Sequence, residues 1–245
     1  MESQVRDVAS GIANFAHRAI RISYTGENSL KPGRDSFVTE MCSEMSHEQI
    51  CDYFVGIDRQ IGEARNNFGT SFDRKKANGM SRDAALAEVH AELVIRSMES
   101  NTGNCAEKAL LAGILLKATL IEELTHRGYP DFEIENANIR ISIAENGNHG
   151  GDHTVCLLHY DIGGEKAVVV DPWLNGTIYD PEDAHSVYVT NLENPNEPAI
   201  FDQVDKNKTQ AVNDEECVAE VMRSVKNIFG ENLEFLLSSE RLSDA

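Results

Sequence analysis

Apolar residues fall at three- and four-residue steps along the first twenty positions, at Val5, Val8, Ile12, Phe15, Ala16, Ala19 and Ile20. That is the spacing of one face of an amphipathic helix. A second helix is predicted over Ser46 to Asn66, and a third opens at Ser81-Arg-Asp-Ala84 and runs through Leu86, Val89, Leu93 and Val94. The glycine- and proline-bearing stretch Gly26–Gly33 and the polar stretch Asn66–Gly79 are predicted as loops. After Ser100-Asn-Thr-Gly-Asn104 the helical signal strengthens. Residues Cys105 to Arg127 carry Leu110, Leu111, Ile114, Leu115, Ala118, Ile121 and Leu124 on a broad apolar face. Asn104 followed three residues later by Glu107 reads as a capping box, and Gly128 with Pro130 as the stop, so Cys105 is expected in the first helical turn.

The period then shortens to two. Ile134 to Ile143 alternates apolar and polar positions and predicts a strand. The runs His153–Tyr160 and Ala167–Val170 predict a hairpin around Gly163-Gly164. In an antiparallel hairpin the start of the first strand lies beside the end of the second, which puts His153 and Asp171 at one edge of the sheet. A short strand is predicted near Ser186 to Thr190, a polar segment from there to about Asn213, and an amphipathic helix over Asp214 to Ser238. The pattern is that of an α+β protein. Residues 1–99 are expected to form a helical region packing on the core, and residues 100–245 that core with its C-terminal helix.

Composition narrows the classes. With 245 residues, 41% hydrophobic and 26% charged, the chain is globular. Its 41 acidic against 22 basic residues give a net charge of -19, which repels nucleic acid and anionic membrane alike. Of that charge, -16 falls after residue 100. The longest apolar stretch, Ala109 to Ile121, is interrupted by Lys117 and too short to span a bilayer, so no membrane insertion is expected. The opening Met-Glu-Ser-Gln-Val-Arg-Asp lacks the basic and apolar regions of a Sec-type signal. Five cysteines, an odd number spread along the chain, point to a reducing, cytoplasmic compartment rather than a disulfide framework.

Three predicted positions carry chemistry together: a cysteine at a helix start, a histidine at a strand start and an aspartate at the neighbouring strand's end. A helix N-terminus and an adjacent imidazolium both favour the thiolate, which is the nucleophilic form. Asp171 orients the His153 ring and fixes its tautomer, leaving the other ring nitrogen for the sulfur of Cys105. An oxyanion needs donors as well. The main-chain N–H of Cys105 is one candidate, and a side-chain amide from Asn101 or Asn104 is the second; Asn104 competes with its own capping role, which favours Asn101.

Gly103-Asn104-Cys105-Ala106-Glu107-Lys108-Ala109, then His153-Thr154-Val155, then Val170-Asp171-Pro172-Trp173, in that order, resemble the papain-like/transglutaminase-like cysteine enzyme superfamily, in its bacterial effector and toxin branches. The resemblance covers roughly residues 100–190. It implies a cysteine-bearing helix packed on an antiparallel sheet, with Cys105 as nucleophile, His153 as general base and acid, and Asp171 as orienter. It also implies a protein amide as substrate, attacked to give a thioester that passes to water or an amine, as in a glutamine deamidase or a cysteine protease, with no cofactor. Delivery into a host cell by a specialised secretion system belongs to the same implication. One departure stands out: papain-like proteases usually carry a glutamine several residues before the cysteine, and here that stretch reads Met98-Glu-Ser-Asn-Thr-Gly-Asn104.

Other readings compete with parts of this one. Arylamine N-acetyltransferases use the same triad on small acyl donors, and an acidic surface docking a basic protein needs no catalysis. His149, in the glycine-rich loop Asn146–Gly151, is an alternative base, and with Asp152 a conceivable zinc site; no metal is expected. Cys42, His47 and Cys51 are incomplete for structural zinc, and Cys156 and Cys217 fall on apolar faces as core residues. Trp173, the only tryptophan, flanks the site either as a screen for the His153–Asp171 pair or as a loop anchor. Asp180-Pro-Glu-Asp183 reads as an exposed turn or helix start, with a second orienting acid as the sharper alternative. The expected partner is a protein substrate, for which the acidic surface suits a basic face.

Overall fold

The computed structural model describes residues 1–22, 42–145, 153–184, 201 and 203–230. The described residues form an α+β structure with seven α-helices and one five-stranded antiparallel sheet. The helices are α1 (Glu2–Ala19), α2 (His47–Ala77), α3 (Arg82–Ser100), α4 (Cys105–His126), α5 (Asp131–Asn136), α6 (Lys206–Asn213) and α7 (Glu215–Phe229). The strands are β1 (Arg140–Glu145), β2 (Thr154–Asp161), β3 (Glu165–Asp171), β4 (Thr177–Tyr179) and β5 (Gln203–Val204), in the spatial order β4-β3-β2-β1-β5.

The helix α4 is the centre of the molecule. Every residue from Glu107 to Leu116 is buried, because α1, α3, α6, α7 and the sheet surround that stretch. A helix apolar on all sides has nowhere stable to be except an interior. Gly113 marks its closest approach: a Cβ there would stand 3.0 Å from Val212 of α6 and 3.1 Å from Ile143 of β1.

In the sheet, Ile141, Ile143, Cys156, Leu158, Tyr160, Val168 and Val170 face the main core, which also holds Val5, Val8, Ile12 and Phe15 of α1. Alternate residues Ala144, Val155, Leu157, Val169 and Tyr179 join a smaller cluster on the other face with Leu174 and Ala184. Burial on both faces explains why β2 reads as a near-continuous apolar run. The β2–β3 register pairs Cys156 with Val170 and Asp161 with Glu165 around the glycine turn, which brings the start of β2 to the end of β3.

Four sequence expectations change. The polar stretch Asn66–Gly79 is not a loop: α2 continues to Ala77, held by polar ties to α3 in place of an apolar face. Ser71 Oγ donates to Glu92 Oε2 at 2.8 Å, Lys75 pairs with Glu88 and Glu92, and the Phe68 ring meets His90 edge-on at 5.0 Å. The strand predicted from Ile134 begins only at Arg140. Asp131–Asn136 is a short helix behind Pro130, and the apparent alternation there sets a solvent-facing Phe132 beside a buried Ile134.

The polar segment said to reach Asn213 contains β5 and α6. Asp205 caps α6 by accepting from Asn207 and Lys208 N–H at 2.9 and 3.0 Å, and Ala211 and Val212 are buried. The last helix stops at Phe229 before Gly230, whose φ is +82°. The loop Gly26–Gly33, the strand near Ser186–Thr190, and the continuation of the last helix beyond Gly230 lie outside the described residues. Among the described residues no helix is long and apolar enough to cross a membrane.

Candidate active site

Cys105 is the first residue of α4, with Asn104 as N-cap. Glu107 reaches back one turn, and its Oε2 accepts the Asn104 main-chain N–H at 2.8 Å, completing a capping box. The thiol is therefore fixed to a helix start whose partial positive charge favours an anion.

The loop before it is equally well held. Asn101, at the left-handed C-cap of α3 (φ 54°), accepts Ile22 N–H on its carbonyl oxygen at 3.0 Å and Arg21 N–H on its side-chain Oδ1 at 2.8 Å. Gly103 N–H donates to the Ile22 carbonyl at 2.9 Å, and a Cβ on Gly103 would come within 2.7 Å of Ile20 Cγ2. Only glycine allows α1's exit to lie that close to the nucleophile's loop.

His153 precedes β2, and Asp171 ends β3. The hairpin register brings them together: His153 Nε2 lies 2.8 Å from Asp171 Oδ2, with His153 only 6% exposed and Asp171 fully buried. Asp171 also accepts Tyr179 O–H on Oδ2 at 3.1 Å and Leu174 N–H on Oδ1 at 3.2 Å. With Nε2 committed to the aspartate, Nδ1 is left for Cys105, to which His153 is hydrogen-bonded. The three residues singled out from the sequence thus form a continuous Cys105–His153–Asp171 chain.

Electrostatics follow from that arrangement. Burial alone would push the Cys105 thiol up, but the hydrogen bond and charge of His153 and the main-chain N–H of Thr154 outweigh it, so the pKa falls below the ordinary thiol value. Glu107 opposes that drop. Burial would likewise lower His153, yet the charge and hydrogen bond of Asp171, with those of Cys105, push it up to about 10. Each partner thus favours the charged form of the other, the imidazolium the thiolate and the thiolate the imidazolium. Three buried thiols differ: burial raises Cys156 well above the usual range, pushes Cys217 up to about 12 and raises Cys42. None of the five cysteines is joined to another in a disulfide.

Aromatic rings wall the histidine. The Trp173 ring centroid is 5.0 Å from that of His153, and the Phe201 centroid 5.9 Å. Trp173 lies in the turn after Asp171, which α1 braces from behind. His17 Nδ1 is 2.9 Å from the Pro172 carbonyl, and Gly176 (φ +67°) lies so close to α1 that a Cβ would meet Asn14 Cα at 2.7 Å.

Other candidates are placed elsewhere. The side-chain oxygen of Asn101 serves Arg21, and Asn104's main-chain N–H serves Glu107, so both asparagines have structural duties beside the loop. Asp180 pairs with Arg6 at 2.5 Å ahead of a 3₁₀ turn at Pro181–Asp183, and Asp171 takes none of its bonds from there. Cys51 Sγ is 3.7 Å from His47 Nε2 on an exposed face of α2, while Cys42 is buried beside Phe54. Among the described residues no three His, Cys, Asp or Glu side chains gather as metal ligands. His149 and Asp152 lie outside the described residues.

Sequence reasoning missed Tyr179, Phe201, the Thr154 N–H and Arg65, whose guanidinium pairs with the Glu107 carboxylate. Asn175-Gly176, an asparagine–glycine pair between two β-rich runs, is the hairpin signal that returns Tyr179 to Asp171. Nothing local marks Phe201 or Arg65. Protein-family models, curated proteins and solved structures yield no match to this chain.

Proposed function

We propose that this chain is a thiol-dependent acyl-transfer enzyme acting on protein amides, a glutamine deamidase or cysteine protease built on a papain-like/transglutaminase-like core. The observation that supports it best is the buried 2.8 Å bond from His153 Nε2 to Asp171, with the ring's other nitrogen left for a thiol at a helix start. A cysteine with only a packing role needs neither partner.

In this reading the Cys105 thiolate attacks the amide carbonyl carbon, and the carbonyl π pair moves onto oxygen. Donors at the start of α4, the Cys105 main-chain N–H first, face that developing charge. As the carbon–nitrogen bond breaks, His153 gives its proton to the departing amine or ammonia, leaving a thioester on Cys105. Neutral His153 then takes a proton from water or an acceptor amine, which attacks the thioester and restores the thiolate–imidazolium pair. Asp171 keeps the ring in place and its charge balanced throughout. Trp173 and Phe201 limit water beside the ring.

The test is intact-mass analysis of candidate protein substrates with the parent protein and Cys105→Ala. Conversion of amide to acid marks deamidation, fragments mark proteolysis, and a crosslinked pair that has lost ammonia marks transglutamination. Cys105→Ala abolishes each. A modification that persists in Cys105→Ala, or Cys105 alkylation by iodoacetamide that is no faster at neutral pH than that of a free cysteine, overturns the reading.

A further inference from the structure

Glu107 is the one buried carboxylate on α4, only 2% exposed, and it sits one turn into the helix that carries the nucleophile. A bare carboxylate there would work against a thiolate. It is not bare: Arg65, from the middle of α2, meets it with both prongs of the guanidinium, Nε to Oε1 at 3.0 Å and Nη2 to Oε2 at 3.1 Å. Oε2 accepts the Asn104 N–H as well, so one carboxylate joins α2, the N-cap and the first turn of α4. A two-pronged arginine–carboxylate pair is the strongest and most directional of side-chain ion pairs.

We infer that Arg65 is a positioning residue for Cys105: by holding and neutralising Glu107 it lets the carboxylate cap the helix without raising the charge cost of the thiolate. The inference rests on the proposed role of Cys105 and adds a contribution from α2, a helix that carries none of the three triad residues. The direction of Glu107's influence, which opposes the fall in the thiol's pKa, agrees with it. Glu107 alone would buy a well-formed helix start at the expense of the nucleophile, and the arginine removes that conflict.

The two partners of one ion pair then act on the thiol with opposite signs. Arg65→Met leaves Glu107 uncompensated and moves the midpoint of Cys105 alkylation up by about half a pH unit or more, whereas Glu107→Gln leaves the arginine's charge and moves it down. Arg65→Lys keeps the charge and stays near the parent. The measurement is the rate of iodoacetamide labelling against pH in the full-length protein, resolved by peptide mass spectrometry so that Cys105 is read apart from exposed Cys51, with circular dichroism to check folding. A purely structural clasp would shift both neutralising variants the same way or neither, and that outcome overturns the inference. Should Arg65→Met fail to fold, a Glu107→Gln midpoint that is unchanged or higher overturns it alone. Labelling reads the thiol and not turnover, so absence of acyl transfer would count against the proposed function while leaving this test intact.

Discussion

Tyr179 donates its hydroxyl to the same oxygen of Asp171 that His153 approaches, at 3.1 Å from Oδ2 against 2.8 Å for the imidazole. One carboxylate oxygen thus receives both a neutral and a chargeable donor in a buried setting, and Leu174 N–H holds the other oxygen. Tyr179→Phe removes the neutral donor while keeping the ring's volume. It is expected to destabilise the protein by about 1–2 kcal/mol, measured by urea denaturation, while His153 keeps its proton to a pH at least as high as in the parent. A His153 titration by NMR that moves downward in Tyr179→Phe would contradict this account.

The His153–Asp171 pair makes stability depend on pH in a defined sense. His153 is raised from 6.5 in the unfolded chain to about 10 in the folded one, so its contribution is complete below pH 6.5 and is lost as pH rises through about 10. Asp171→Asn removes the main source of that rise. The gap in unfolding free energy between the parent and Asp171→Asn is expected to be widest near pH 6 and to close toward pH 10. A gap that is flat across this range would mean that the histidine is neutral when folded.

Glycines at positive φ separate local strain from close packing. Gly176 has φ +67° and stands against the backbone of α1, while Gly163 has φ +71° and nothing within 4 Å of an added Cβ. Gly163→Ala is expected to cost about 1 kcal/mol from backbone strain alone. Gly176→Ala adds a clash with Asn14 that cannot be relieved by a rotamer and should cost about 2–4 kcal/mol. Equal costs in denaturant titrations would rule out a tight α1–turn contact.

Most of the net charge, -16 of -19, follows residue 100, the part of the chain that holds the site. If the substrate presents a basic surface, kcat/KM on it should fall as salt rises and screening shortens the reach of that charge, while turnover of a small uncharged amide stays level. Identical salt responses for the two substrates would leave the acidity with no part in encounter.

The legible and illegible parts of this structure divide on a physical line. Cys105's position followed from Asn104, Glu107, Gly128 and Pro130 because caps and stops are local chemistry. The meeting of His153 and Asp171 followed from a glycine turn and a two-residue period. The second half of α2 did not, because its polar face is satisfied by α3 through Ser71 and Lys75, and a tie between helices leaves no periodic apolar trace. Arg65 and Phe201 reach the site from distant parts of the chain, so only the packed fold brings them there. At Ile134 the pattern misled, since a short helix with one buried side chain mimics alternation.

The C-terminal half of α1 and the residues just after it touch the site on two sides: Ile20 and Ile22 lie against the loop that leads into Cys105, and His17 with Asn14 lies behind the turn that follows Asp171. One rigid rod therefore serves as a common gauge for both ends of the relay. A tilt of the rod carries thiol loop and acid turn along together and leaves the spacing between them unaltered. A break in the rod would do the opposite, letting each end drift on its own while the sheet beneath stayed whole.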